Sequence, residues 1–396
     1  MSHKYYHNFR GDDILKFISC LTTLDKNSSF CYRLMFAQLE AYTMWRRGKC
    51  DWAMLDGILA NGNPQMEDPQ EMLFIETVNS PFRSYKVFST FYLTHKVNLS
   101  QLLYLADRVG IAIEKISIVY ALLELSDIII NRCGYGRYVK GYPAEEKVLY
   151  PNYKEYASNK DRTSFSTTEM QNVLAQNGLH LSDIDELLLN IKKGEIKKEI
   201  QYQGHSDAFE LHPLLKLHDG SYLVLFPSAL IRTAYVSCYG LLQNIFGKDK
   251  LLELLEDKLV EETGAILKND QVLFLKRTAF RDIPSLWFDF DNDKVTNVMT
   301  VLADRNKDLA GAISDAEKEL GKEYPGKKIF LLIVTLQMDE RGIFLTCPVP
   351  VTSFNIEDFK IVMNQDRMSL LNLYYYNEDK KKVNLSIGSQ EIDNLS

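Results

Sequence analysis

In WFDFDNDKVTNVMTVLAD (Trp287–Asp304), Asp289 and Asp291 stand two residues apart in a strand-like run, a turn follows, and a second strand-like run leads to Asp304. Residues two apart on a strand face the same way, so the first two carboxylates are expected on one side. Arg305 and Lys307 follow Asp304 and bring cationic groups to the same stretch. A second gathering of reactive types lies in GHSDAFELHPLLKLHDG, where His205, His212 and His218 accompany Asp207 and Glu210. These types can ligate a metal, but a polar entry to a hairpin with exposed histidines explains them as well.

Other chemistries find little support. The six cysteines (Cys20, Cys31, Cys50, Cys133, Cys238 and Cys347) are scattered singly, with no CxxC pair and so no zinc-ligand spacing. Cys238 and Cys347 sit in apolar surroundings without an adjacent histidine and read as buried small hydrophobes. No G-x-x-x-x-G-K-[ST] or G-x-S-x-G is present. The run Lys192–Lys198, KKGEIKK, reads as a solvated helix end, and CGYGRYVKGY as a Tyr-rich loop in preference to a stacking platform for single strands.

The formal net charge is −7, the wrong sign for a general nucleic-acid binder. Hydrophobic residues make up 46% of the chain and aromatics 11%, enough to build packed cores. The start, MSHKYYHNFRGDD, has no apolar signal-peptide region. No apolar run reaches the roughly 20 residues of a membrane span. Reduced thiols and a cytoplasmic setting are the expectation.

The elements that must position these residues are legible from periodicity. Residues 1–133 read as a mostly helical domain: SSFCYRLMFAQLEAYTMWRRG and NLSQLLYLADRVG repeat apolar residues at three and four, with Ser100 a candidate cap. Residues 134–165 read as an irregular linker or excursion. Residues 166–206 read as a helical hairpin, with a Ser166/Glu169 capping box, Gly178 as a C-terminal stop, Ser182 starting the second helix and Gly194 ending it.

From 207 to 377 the pattern becomes α/β. Asp219-Gly220 between apolar runs marks a hairpin. LLELLEDKLVEETG is a helix, VLFLKRTAF, SLWFDFD and KVTNVMTVLAD are strands, and KDLAGAISDAEKELGKEYPG is an amphipathic helix ending at Gly321 and Pro325. KKIFLLIVTLQ reads as a strand buried on both faces. IFLTCPVPVTS reads as a further strand, and a helix is expected to begin at Ser353. Residues 378–396 lose the pattern and read as a flexible tail. The fold class expected is α+β: a helical N-terminal part, then a mixed sheet flanked by helices.

The layout of 207–377 resembles the PD-(D/E)XK restriction-endonuclease-like fold, whose bacterial multi-domain members often carry a helical N-terminal region. The resemblance lies in element order and covers less than half of the chain. It implies an acid on the first helix, an Asp after a strand, and an (E/D)-x-K on the next strand, converging on Mg²⁺, for which oxygen ligands are suited. The metal would activate water and stabilise charge on the phosphate. Carried onto this chain, the helix acid is Glu256, or else Glu253 or Glu261, and the strand acid is Asp289 or Asp291. The (E/D)-x-K position falls on Thr300-Val301-Leu302, which supplies neither acid nor lysine.

Two functions follow. One is a non-catalytic interaction or scaffold protein with no cofactor, built on a degenerate nuclease-like domain. Its setting would be a bacterial complex that processes nucleic acid or defends against it, with a protein partner expected and nucleic acid left open. The other is an active Mg²⁺-dependent nuclease using Glu256, Asp289, Asp291 and Asp304, with Arg305 or Lys307 replacing the family lysine and Asp289, Asp291 and Asp304 holding the metal. The missing (E/D)-x-K favours the first.

Overall fold

The computed structural model describes residues 11–23, 28–49, 73–90, 99–133, 160–190, 209, 211–269, 276–291, 294–302, 308–336, 351–356, 359–360 and 363. It is an α+β protein that divides into two compact units. Unit 1 is Met1–Leu93 with Ala106–Leu241, and unit 2 is Thr94–Leu105 with Leu242–Ser396. Among the described residues, no helix is long and apolar enough to cross a membrane.

In unit 1, α1 (Asp12–Leu21) is buried along Ile14–Leu21, so it runs through packed protein instead of lying on its surface. Beside it runs α2 (Ser28–Trp45). Polar side chains tie these helices to the backbone around them. The Ser19 hydroxyl donates to the Val224 carbonyl, the Gln38 amide to those of Leu15 and Leu225, and the Tyr42 hydroxyl to that of Leu189. Each bond pairs a buried side-chain donor with a backbone carbonyl.

The described part of 1–133 is mostly helical, with one strand pair that the periodicity did not show. Residues 73–90 form an antiparallel hairpin, β1 (Leu73–Asn79) and β2 (Ser84–Thr90), paired over seven positions. Ser80 closes its turn, its hydroxyl oxygen accepting from the N–H groups of Phe82 and Arg83. Two β2 amides, at Lys86 and Phe88, donate to Asp127 and Ser126 of α4 (Ser117–Arg132). The helix thereby covers what would be an open strand edge. Ahead of it, α3 (Leu99–Arg108) already includes Ser100, so that residue does not cap it.

The capping box forms as expected at α5 (Thr167–Gln176). The Ser166 hydroxyl accepts from the Glu169 N–H, and the Glu169 carboxylate accepts from the Ser166 N–H. Gly178 takes a left-handed φ of 72°. The second helix expected here is a 3₁₀ helix, Leu181–Leu187, begun by the Asp183 carboxylate accepting the His180 N–H. Gly194 lies outside the described residues.

The Asp219-Gly220 turn joins β4 (Leu214–Lys216) to β5 (Tyr222–Val224), and Gly220 takes the left-handed φ of 83° that the turn requires. With β3 (Ser164–Phe165) they form a three-stranded sheet ordered β3-β5-β4. This sheet groups with the N-terminal elements. The compact division therefore falls inside α6 (Pro227–Phe246), at Leu241/Leu242, and not near residue 207.

Unit 2 holds α7 (Lys248–Asn269), β6 (Lys276–Phe280), β7 (Ile283–Asp291), β8 (Lys294–Val301), α8 (Leu309–Glu323), β9 (Lys328–Thr335) and β10 (Val351–Asn355). The sheet order is β10-β9-β8-β7-β6, with β6, β7 and β8 an antiparallel meander and β8, β9 and β10 parallel. The parallel step from β8 to β9 needs a crossover, which α8 supplies. Ile283, Met299, Val301, Leu331 and Ile333 pack under Ala312, Ile313 and Ala316 of α8. The alternate residues, Leu286, Val298 and Leu332, face the other way. There α7 lies so close that a Cβ at Gly264 would stand 3.8 Å from Leu286 Cδ1. β9 is buried continuously from Phe330, as a strand covered on both faces must be.

Two boundaries differ from expectation. Gly321 lies inside α8, and the chain turns at Gly326, with φ 84°. Ser353 belongs to β10, opposite Ile333. Its β-sheet pairing overrides its local preference for a helix cap. Residues 378–396 lie outside the described residues.

Candidate functional site

Of the three helix acids, Glu256 alone is buried, at 7% exposure, on the face of α7 that also carries Leu252, Leu255, Leu259, Val260 and Thr263. Glu253 is exposed and pairs with Lys250 at 2.9 Å, and Glu261 is exposed too. Burying a carboxylate is costly, so Glu256 is the helix acid whose position needs a reason.

The β7–β8 register decides where the strand acids lie. Asp289 pairs with Val295 and Asp291 with Lys294, at the closed end of the hairpin. The register shifts between Asp289 and Asp291, so the period-two argument for a shared face does not carry across them. Thr300 is five residues further along β8 than Val295. At roughly 3.4 Å per residue it is about 17 Å from the position opposite Asp289.

The (E/D)-x-K position is therefore at the other end of the strand from both aspartates. It is also filled. Thr300 is fully buried and Leu302 is 3% exposed. The Thr300 hydroxyl donates to the Pro284 carbonyl at 3.2 Å. Asp304, Arg305 and Lys307 lie outside the described residues.

The end of the sheet that carries Thr300 is closed by a different set of charges, which the sequence reasoning missed. The turn between β6 and β7 is Arg281-Asp282, both with left-handed φ (48° and 64°). Non-glycine residues rarely adopt this conformation. The Arg281 guanidinium reaches α8, pairing with Asp308 and, at 2.7 Å, with Asp315. Asp308 also caps α8 by accepting the Gly311 N–H at 2.9 Å. Hydrogen bonds from Arg281 hold the Asp315 carboxyl below its ordinary range. The sequence signal for this clamp is slight: an Arg-Asp pair where a two-residue hairpin prefers Asn-Gly.

A second unforeseen polar contact lies on the α8 side of the sheet. The Ser285 hydroxyl donates to Asn297 Oδ1 at 2.8 Å, with both residues fully buried.

Of the candidate ligands in the histidine-rich segment, only His212 and His218 are among the described residues. His205, Asp207 and Glu210 lie outside the described residues. His212 Nδ1 stands 2.7 Å from the Glu186 carbonyl oxygen, and His218 belongs to a different cluster on α1. Among the described residues, no group of three His, Cys, Asp or Glu is placed to hold a metal ion. Burial pushes the Cys238 thiol up to about 12, as befits a buried small hydrophobe. Lys192–Lys198, Cys347 and the Tyr-rich 134–150 segment lie outside the described residues.

No protein-family model, no curated protein and no solved structure matches the chain.

Proposed function

We propose that unit 2 is a nuclease-like α/β domain without phosphodiester chemistry, and that the chain works as a non-catalytic interaction or scaffold protein in a complex that handles nucleic acid. The observation that carries this proposal is the register of β7 against β8. Asp289 and Asp291 lie at the closed end of the hairpin, while the (E/D)-x-K position lies about 17 Å away and is occupied by buried Thr300 and Leu302. An acid at the position of Thr300 would stand too far along the strand from Asp289 and Asp291 to share a metal with them. The nuclease-like part of the proposal is supported by the helix, three-stranded meander, helix, strand order from α7 to β9. The interaction role is supported by the net charge of −7 and the aromatic content, since aromatics are enriched at partner interfaces.

The test is incubation of the full chain with single- and double-stranded DNA and RNA in Mg²⁺ or Mn²⁺, beside an Asp289→Ala/Asp291→Ala variant. Intact substrates throughout are expected. Cleavage by the wild type that disappears in a folded variant would overturn the proposal.

A further inference from the structure

We draw no further inference here: the strongest candidate, the apolar tip of the β1–β2 hairpin, where Phe82 is 62% exposed with its ring edge-on to Tyr120 at 5.9 Å, carries nothing because nothing in the structure shows what covers it.

Discussion

The Thr300 hydroxyl is bonded to the carbonyl oxygen of Pro284, across β8 and β7, at 3.2 Å. At the position where the nuclease resemblance calls for a metal-binding acid, this chain has a buried neutral group already engaged with the neighbouring strand. Replacing Thr300 with Glu and Leu302 with Lys restores the motif in letters only. The new carboxylate enters a fully buried position, and Asp289 and Asp291 remain at the far end of the hairpin. The double variant should lose about 3 kcal/mol in denaturant unfolding and gain no metal-dependent cleavage. Cleavage gained without loss of stability would contradict the placement.

Ser285 and Asn297 test how the α8 side of the sheet tolerates polarity. Ser285→Ala leaves Asn297 Oδ1 buried without its donor, at a cost of about 1–3 kcal/mol. Asn297 Nδ2 already has no hydrogen-bond partner. Removing both polar groups, as Ser285→Ala/Asn297→Leu, should therefore restore much of what the single change loses. Unfolding midpoints for the two variants decide it, and a double variant less stable than Ser285→Ala would count against the account.

The Arg281 clamp depends on a missing side chain. A Cβ at Gly311 would land on the Arg281 guanidinium and beside the Asp308 carboxylate. The guanidinium ends a flexible chain, so the expected loss in Gly311→Ala is the clamp and not the fold. With Arg281→Ala already in place only the Asp308 carboxylate must still move, so Gly311→Ala should stabilise by at most about 0.5–1 kcal/mol through helix propensity. In the wild-type background the gain should be smaller or reversed. Equal effects in the two backgrounds would show that the residues are not coupled.

Acid sensitivity should come from Asp219 and Glu169. Burial opposes ionisation of Asp219, but the Ser221 hydroxyl and N–H and the Lys16 ammonium outweigh it and hold the carboxyl below its usual range. Burial likewise opposes ionisation of Glu169, and the Ser166 contacts and Arg132 outweigh it. A carboxyl lowered in the folded chain contributes stability above its ordinary value and loses it as the pH falls through the folded value. The wild type should therefore weaken below about pH 4, and Asp219→Asn and Glu169→Gln should each show a shallower acid limb in urea unfolding. An unchanged limb in both variants would contradict the assignment.

Periodicity made the strands and helices of unit 2 legible. The both-sides-apolar run of β9, the β-branched run of β8 and the amphipathic α8 each carry their signal within one segment. The Asp219-Gly220 turn and the Ser166/Glu169 box are equally local. What stayed hidden depends on long-range pairing. Nothing within LFIETVN says that it pairs with SYKVFST, and nothing near residue 207 says that its hairpin belongs with α1. The distance between Asp289 and Thr300 was hidden for the same reason. Asp289 and Thr300 look close in sequence, but they are placed on opposite strands of one hairpin, where closeness to the turn separates them. The contacts that close the sheet end, Arg281 with Asp308 and Asp315, bridge 27 and 34 residues.

Metal binding tests the central claim most directly. Manganese titration of the full chain, followed by the loss of the free-ion electron paramagnetic resonance signal, should show no saturable site, and the trace should be the same for Glu256→Gln and for Asp289→Asn/Asp291→Asn. A one-to-one site in the wild type that vanishes in either folded variant would mean that the carboxylates do converge, and would contradict the account.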